Sequence, residues 1–190
     1  MDKNYPNRKD MTFDQLFKPI SPEEMSDNVF TLAGKDFYLI TAGKEGHYNA
    51  MTGSGGGMGL LFKKPTTWCC IQSGRYTLEL IQREQTYTIS YFPEEYKNQL
   101  LFLGSKSGRD SEKMKEVDLT GVPLPSGDMA FKEARLIFEC RLTQLTTPGL
   151  EDFCTQEAQD YLREVYQDPN EHRKYAFGEI TRVWTRSPYL

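Results

Sequence analysis

The chain has 190 residues, 38% of them hydrophobic, with 23 basic and 27 acidic residues and a net charge of −4. This length allows one domain with a substantial core, and the mixed, mildly acidic charge provides no basic surface for nucleic acid. Residues 1–10 are polar and lead into no secretory signal, and no run approaches the ~18 apolar residues of a membrane span. We therefore expect a cytoplasmic protein that contacts neither nucleic acid nor a membrane.

The four cysteines and two histidines show no spacing typical of a metal site. Cys69 and Cys70 are adjacent in an apolar run, where the alternation of a strand would point them to opposite faces. We expect buried, reduced thiols rather than a disulfide framework, and no metal centre.

Residues 1–27 contain three prolines among charged residues and are predicted to form an N-terminal arm. The arm would hold at most a short helix around residues 13–17 and a helix start at residues 21–24 (Ser-Pro-Glu-Glu). The folded domain is predicted to span residues 28–190. Its first part shows β-branched and aromatic runs that indicate strands at residues 29–32, 37–42, 48–52 and 66–71.

Residues 47–62 form a glycine-rich stretch between two of these strands. Asn49, Thr52 and Ser54 alternate with smaller or apolar residues, as in an extended strand with polar groups along one edge. The dense glycines let another group approach the backbone closely. The stretch lacks both the Gly-x4-Gly-Lys-Ser/Thr of a phosphate-binding loop and the Gly-x-Gly-x-x-Gly of a dinucleotide-binding turn. A ligand site and a flexible loop both remain open on these residues alone.

The rest of the chain mixes strands with short helices. Helices are predicted at residues 75–84, from residue 93 onward, and at residues 155–166. Strands are predicted at residues 86–92, 134–142 and 175–184. Because there is no regular strand–helix–strand alternation, we predict a mainly β fold with short helices, a β-barrel decorated by helices.

A second glycine- and serine-containing loop, residues 103–110, is predicted to open a helix at residues 111–117. Free N–H groups and the positive end of the helix dipole would make this loop an anion site suited to a phosphate, with Lys106 adding charge. The alternative is a simple helix cap made by Ser107 and Asp110. Both roles are compatible.

Four segments together resemble, in order and spacing, the flavin reductase-like, FMN-binding split-barrel proteins. They are residues 49–59, residues 72–77, Phe92-x3-Tyr96 and residues 103–110. Residues 172–180 are also similar to the last barrel strand of that family. The resemblance covers about residues 28–184, and the order of the motifs makes it specific.

The resemblance implies a split β-barrel, usually a homodimer that holds FMN near the subunit interface. One group of residues would lie along the isoalloxazine ring and ribityl chain, a second would reach the phosphate or ribityl region, and a third would add phosphate or flavin-edge contacts. The groups are, in turn, Asn49, Met51, Thr52, Gly53 and Ser54; Arg75, Tyr76 and Thr77; and Gly104, Ser105, Lys106 and Ser107.

The chain departs from the family pattern at two positions. The family often reads Asn-x-Met-Thr-Ala-Ser-Trp-Gly, whereas Gly53 stands here for the alanine and Gly55 for the tryptophan. Loss of the indole removes a large aromatic wall. The resemblance then implies a more open pocket, or one filled by Trp68, Phe62 or Tyr175.

The function implied is that of an oxidoreductase that takes hydride from NAD(P)H and passes electrons through FMN to a flavin, ferric or other small acceptor. The flavin would carry the chemistry, so no catalytic side chain is expected. An alternative is a flavoprotein that binds FMN or carries electrons without nicotinamide activity. A third is a dimeric barrel without a flavin, whose glycine stretch serves only packing or a partner. The motifs specify a flavin but no hydride donor, so the sequence leaves these alternatives open.

Overall fold

The computed structural model describes residues 8–109, 112–168 and 172–186. The α-helices in these ranges are α1 (Phe13–Leu16), α2 (Val29–Gly34), α3 (Tyr76–Glu84), α4 (Lys97–Ser105) and α5 (Gln156–Val165). The strands are β1 (Phe17–Ile20), β2 (Tyr38–Lys44), β3 (His47–Gly53), β4 (Gly57–Leu61), β5 (Lys64–Gln72), β6 (Thr86–Tyr91), β7 (Gly121–Pro123), β8 (Met129–Phe131), β9 (Leu136–Thr146) and β10 (Arg173–Arg186). The predicted mainly β fold with short helices is confirmed.

Eight of these strands form one antiparallel sheet. Seven of them follow the order β3-β2-β6-β9-β10-β5-β4, the eighth, β1, pairs with β10, and β7 pairs separately with β8. Strand β10 is 14 residues long. It pairs with β9 along one side, and on its other side it pairs first with β5 and then with β1. Strand β10 therefore joins the two parts of the sheet.

The sheet is covered on both faces. On one face, Ile40, Ile89 and Phe138 belong to a core cluster that also includes residues of β3, β5, β10 and α3. Because strands from both parts of the sheet contribute to this cluster, the sheet curls around it. On the other face, Leu39 and Ile137 pack with α1, α4 and residues 119–134.

The N-terminal segment packs against this second face. The Phe13 ring stacks on Phe17 with centroids 5.0 Å apart and meets Trp184 edge-on at 4.8 Å. Strand β1 adds backbone hydrogen bonds to residues 183–186. Residues 11–20 of the predicted arm are thus part of the packed structure, and the boundary between residues 27 and 28 stays a prediction.

One predicted strand is wrong, because residues 29–32 belong to helix α2. The side-chain oxygen of Asn28 accepts hydrogen bonds from the N–H groups of Phe30 and Thr31 at 3.0 and 3.1 Å. This N-cap satisfies two donors of the first turn and outweighs the β propensity of Val29 and Thr31. The other predicted strands and helices are confirmed with ends shifted by a few residues, except the helix predicted at residues 111–117, where the described residues form only a 3₁₀ turn at Lys113–Lys115.

The glycine-rich stretch forms strands rather than one long loop. Strand β4 pairs with residues 64–68 of β5, and only residues 54–56 connect β3 to β4. A side chain at Gly57 would overlap the Trp68 ring, so glycine is needed for this close pairing. The stretch is therefore held at both ends by the sheet.

The four cysteines have free thiols, with Cys69 and Cys140 buried, Cys70 half-buried and Cys154 exposed. Within the described ranges, no three His, Cys, Asp or Glu side chains are grouped so that they could hold a metal ion. No helix in that part of the chain has the length and apolar character needed to cross a membrane.

Candidate functional site

Three segments meet around a cavity of about 250 Å³, which we call the cationic cavity. Strand β3 forms one wall, the turn into α3 forms a second, and the segment after α4 forms a third. The lining residues are Asn49, Met51, Gln72, Gly74, Arg75, Tyr76, Thr77, Lys106, Ser107, Gly108 and Lys113. Eight of these eleven residues have a polar or positively charged side chain.

Lys113 is the most deeply buried cation of this cavity, with only 2% of the residue exposed. Its ammonium donates hydrogen bonds to the carbonyl oxygens of Leu103 at 2.8 Å and Lys106 at 2.9 Å, and so caps the C-terminal end of α4. An ammonium has three donors, and the third has no partner among the described residues. Burial, and then the positive charge of Arg75, lower the pKa of Lys113 to about 8.

Arg75 lies between the cavity and the start of helix α3. Its Nε donates to the Gln72 side-chain oxygen at 2.7 Å, and its Nη1 donates to the Gly104 carbonyl oxygen at 3.0 Å. Arg75 is also the N-cap residue of α3, so the N–H groups of Tyr76 and Thr77 in the first turn lack intrahelical acceptors. The positive end of a nine-residue helix thus borders the cavity.

Two further contacts fix the walls relative to each other. The Asn49 amide nitrogen donates to the Thr77 hydroxyl at 2.7 Å, and both residues are buried. A Cβ at Gly108 would overlap the Asn49 side-chain amide, so this residue must be small for the segment after α4 to approach β3. Strand β3, helix α3 and that segment therefore form one packed unit.

A second cavity of about 440 Å³ adjoins the first and shares Met51, Gln72 and Arg75 with it. Its other lining residues are Thr52, Gly53, Ser54, Cys70, Tyr161, Leu162, Arg173 and Tyr175. Helix α5 contributes one tyrosine and β10 the other, so we call it the tyrosine cavity. Together the two cavities form the cleft.

The charge of the cleft is opposite to that of the whole chain. Its described lining residues include four cations, Arg75, Lys106, Lys113 and Arg173, and no carboxylate. Burial raises the pKa of the Cys70 thiol, an effect that the charge of Arg173 opposes, so the thiol is neutral at pH 7. In a protein with a net charge of −4, such a cleft favours anionic ligands.

Ten of the twelve sequence-predicted site residues line the cleft. Those that line the cationic cavity are Asn49, Met51, Arg75, Tyr76, Thr77, Lys106 and Ser107. Those that line the tyrosine cavity are Met51, Thr52, Gly53, Ser54 and Arg75. Gly104 and Ser105 line neither cavity. Gly104 packs against Thr52, and the Ser105 hydroxyl donates back to the Phe102 carbonyl at 2.8 Å. The role of the twelve as cofactor ligands stays a prediction.

The predicted helix start at residues 103–110 is wrong. Gly104 and Ser105 belong to the last turn of α4, so the loop that follows lies at the negative end of a helix dipole. Lys106 forms a 2.7 Å ion pair with Glu116 across this loop. Lys106 and Ser107 still line the cationic cavity. The positive charge of this segment comes from the side chains of Lys106 and Lys113, and the helix N-terminus at the cavity is that of α3. Asp110 and Ser111 lie outside the described residues.

Apart from Tyr175, five lining residues lie outside both the twelve predicted site residues and the four segments that carry the resemblance: Cys70, Lys113, Tyr161, Leu162 and Arg173. Lys113 lies in a charged segment that reads as a solvated surface, and Arg173 lies at the start of the last strand. Neither has a local pattern that marks it as a site residue. Both reach the cleft only because distant segments pack together. Tyr175, two residues after Arg173, is one of the three aromatic residues named above as substitutes for the missing tryptophan.

The replacement of tryptophan by Gly55 leaves open space. Gly55 has a φ of +76°, and a Cβ there would meet no atom within 4 Å. Of the three aromatic residues considered as substitutes, only Tyr175 lines the cleft. Trp68 packs on Phe177 outside the cleft, with ring centroids 6.2 Å apart, and Phe62 is 84% exposed at the β4–β5 turn. The space next to Gly55 is therefore not filled by the described residues, and Gly55 itself lines neither cavity.

Comparisons with known proteins identify a family and a fold for the chain. A model of the flavin reductase like domain matches residues 34–188. Among solved structures, an FMN-binding protein from Thermus thermophilus is similar, at 17% identity and a TM-score of 0.61, over 87% of this chain and 78% of that chain. Flavoredoxin from Methanosarcina acetivorans is similar at 16% identity and a TM-score of 0.62, over 90% of this chain and 78% of that chain. An NADH:FAD oxidoreductase from Streptomyces globisporus is similar at 14% identity and a TM-score of 0.58, over 81% of this chain and 76% of that chain. No curated protein matches the chain significantly.

Proposed function

The chain belongs to the flavin reductase-like family and has its split-barrel fold, as predicted from the sequence, and from this premise we propose that it is an FMN-dependent oxidoreductase. In this proposal FMN binds in the cleft, and electrons pass from NAD(P)H to a flavin, ferric or other small acceptor. The observation that carries the proposal is the cationic cavity, where Arg75, Lys106 and Lys113 face the start of α3 with no carboxylate among the described lining residues.

The donor set of this cavity fits a phosphate monoester. A dianionic phosphate accepts several charge-assisted hydrogen bonds, and here the third donor of the Lys113 ammonium and the first-turn N–H groups of α3 lack partners among the described residues. The Thr77 hydroxyl, held by Asn49, lies at the same wall. We assign the phosphate end of FMN to the cationic cavity.

The remainder of the cofactor is assigned to the wall shared by both cavities. Met51, Thr52 and Ser54 of β3 and its connection border this region and offer an apolar surface, hydroxyls and backbone groups. FMN, when bound, supplies the electron transfer, because its ring system accepts and donates electrons. The protein's own part is to bind, orient and exclude water, which fits the neutral Cys70 thiol and the absence of carboxylates among the described lining residues.

A non-catalytic electron carrier is the second candidate. It is favoured by the likeness to flavoredoxin from Methanosarcina acetivorans, which is as similar in fold as the oxidoreductase is. Both candidates need the same cofactor cleft. They differ only in whether a nicotinamide nucleotide reduces the bound flavin.

The test is the visible absorption spectrum of the purified protein after addition of FMN, and then of NADH or NADPH under anaerobic conditions. We expect a shifted flavin band on binding and bleaching by the nucleotide. Bound flavin that stays oxidised with both nucleotides would favour the carrier. Absence of binding would exclude both candidates.

The phosphate assignment is tested by Thr77→Ala. We expect FMN affinity to fall roughly tenfold, because a neutral hydrogen bond contributes about 0.5–1.5 kcal/mol and the Asn49 amide also loses its acceptor. Calorimetric titration measures the affinity. Thr143→Ala is the matched control, since Thr143 is exposed on β9 and bonds only the Phe177 carbonyl. Equal affinity in both variants would contradict the assignment.

We also propose that the protein is a cytoplasmic homodimer, and the β4–β5 hairpin supports the dimer. Phe62 and Lys63 at its tip have φ values of 52° and 64°, a left-handed turn that presents Phe62 to solvent. Phe30 and Leu60 are also highly exposed, at 85% and 77%. Large exposed apolar side chains of this kind mark interaction surfaces.

The variant Phe62→Ser is therefore expected to convert a dimer into a monomer at micromolar concentration, because it removes a large apolar side chain from the interface. Light scattering after size exclusion measures the mass. Leu101→Ser, which removes a half-exposed leucine of α4, is the control and should remain dimeric. A wild-type protein of monomer mass would refute this proposal.

A further inference from the structure

The tyrosine cavity contains a cation that the FMN phosphate does not need. Arg173, the first residue of β10, lines this cavity but not the cationic cavity. Its side chain makes no ion pair with a carboxylate of the described residues. The phosphate end assigned above is served by Arg75, Lys106 and Lys113, so Arg173 is available to a different anionic group.

Aromatic surfaces border the same space. Tyr175 lies two residues further along β10 and is half-buried, whereas Tyr161 of α5 is 59% exposed. An exposed ring beside a cavity is typical of a surface completed by a ligand. The neighbouring Cys70 has a thiol pKa raised by burial, so it places no negative charge near Arg173.

We propose that the tyrosine cavity binds the second substrate, and that Arg173 holds a carboxylate or phosphate group of a molecule whose planar ring packs against Tyr161 and Tyr175. This rests on the proposed function, since FMN would occupy the adjoining wall. The guanidinium presents parallel N–H donors that match a carboxylate or phosphate in a bidentate pair. Arg173 is thus a residue that selects anionic ring compounds over neutral ones.

Two sources could supply such a ligand: a small aromatic acid, or a nicotinamide nucleotide with its own phosphates. The recognition chemistry is shared, namely one anionic group and one planar ring. The experiment therefore includes a probe for each source.

The FMN-loaded protein is titrated with benzoate, with benzyl alcohol as the neutral ring and with acetate as the anion without a ring. The readout is the shift of the flavin absorption band. We expect benzoate to bind at least roughly tenfold more tightly than either control compound, and Arg173→Gln to lose about 10- to 100-fold of that affinity. Lys174→Gln is the control variant, because Lys174 is adjacent on β10 and bonds Thr147 instead.

The Michaelis constants for NADH and NADPH are measured for the same variants. If Arg173→Gln raises these Michaelis constants and the wild-type protein does not bind benzoate selectively, the proposal holds with the nucleotide as the source of the anion. Unchanged benzoate and nucleotide constants would overturn it. Loss of FMN affinity itself in Arg173→Gln would also overturn it, by placing Arg173 in the cofactor site while leaving the proposed function intact. If the wild-type protein bound no FMN, the proposed function would fail, and benzoate quenching of tyrosine fluorescence would still test Arg173.

Discussion

FMN affinity is expected to fall as the pH rises above about 8, the value to which burial and the charge of Arg75 bring the pKa of Lys113. Below that pH the ammonium is charged and stabilises a bound phosphate. Above it, binding must first return a proton to the amine, so the affinity should decrease by up to about tenfold per pH unit. Calorimetric titrations with FMN between pH 7 and 9.5 measure this dependence.

The variant Lys113→Gln isolates this effect. At pH 7 it should bind FMN about 10- to 100-fold more weakly, because a hydrogen bond to a charged group contributes about 1.5–3 kcal/mol. Its affinity should also show a flatter pH dependence over the same range. If the FMN affinity of the variant fell with pH as steeply as that of the wild type, the titrating group would not be Lys113. Thermal unfolding without FMN reports separately whether the lost cap on α4 destabilises the fold.

The stability of the FMN-free protein should change in the opposite direction. The pKa of Lys113 is lowered from 10.5 to about 8 on folding, so between these values the unfolded chain binds more protons than the folded one. The contribution of Lys113 to the free energy of unfolding therefore rises with pH across this window. Burial of the charged ammonium thus lowers stability at neutral pH, and a bound phosphate offsets this cost.

The variant Gly178→Ala is expected to destabilise the fold by about 1–3 kcal/mol, as is typical of overpacking in a tight core. A Cβ at residue 178 would overlap the Tyr87 hydroxyl and lie 2.9 Å from the Tyr87 Cζ and 3.1 Å from the Cys140 Cβ. Tyr87 is fully buried, so its ring has no free space to move into. Urea-induced unfolding measures the change.

Two companion variants sharpen this test. Gly59→Ala lies in the same sheet, but its Cβ would meet no atom within 4 Å, so its effect should stay within about 0.5 kcal/mol. Adding Tyr87→Phe to Gly178→Ala should recover part of the loss, because it removes the overlapping hydroxyl. That hydroxyl interacts with the Cys69 thiol and forms no hydrogen bond with an oxygen or nitrogen of the described residues, so Tyr87→Phe alone should cost less than about 1 kcal/mol. A double variant no more stable than Gly178→Ala would contradict this account.

The strands were predictable because the interior of the curled sheet selects every second residue. Ile40 and Ile89 point into one core while Leu39 faces the other, so a strand buried on both faces reads as a continuous apolar run, which is visible in the sequence. Helix α2 was not predicted, since a single capping bond pattern from Asn28 outweighs two β-branched residues. Such local competition is decided by fractions of a kcal/mol, which propensities do not resolve.

The cleft was predictable only where its residues are close together in the chain. Residues 49–54 and 75–77 form continuous segments, and their polar and glycine content marks them. Lys113 becomes a buried cation only because its segment folds under the end of α4. Arg173 reaches the cleft because β10 pairs with β5 beside Cys70 and Gln72. Long-range pairing of this kind has no local sequence signal.

The position of β10 in the sheet has a consequence for synthesis on the ribosome. Without β10 the hydrogen-bonded sheet separates into β3-β2-β6-β9 and β5-β4. The first piece carries Asn49 and Met51, and the second carries Cys70 and Gln72, so the two walls of the cleft are then not joined. Because β10 follows both pieces in the chain, a nascent polypeptide cannot complete its cleft until residues 173–186 have left the exit tunnel.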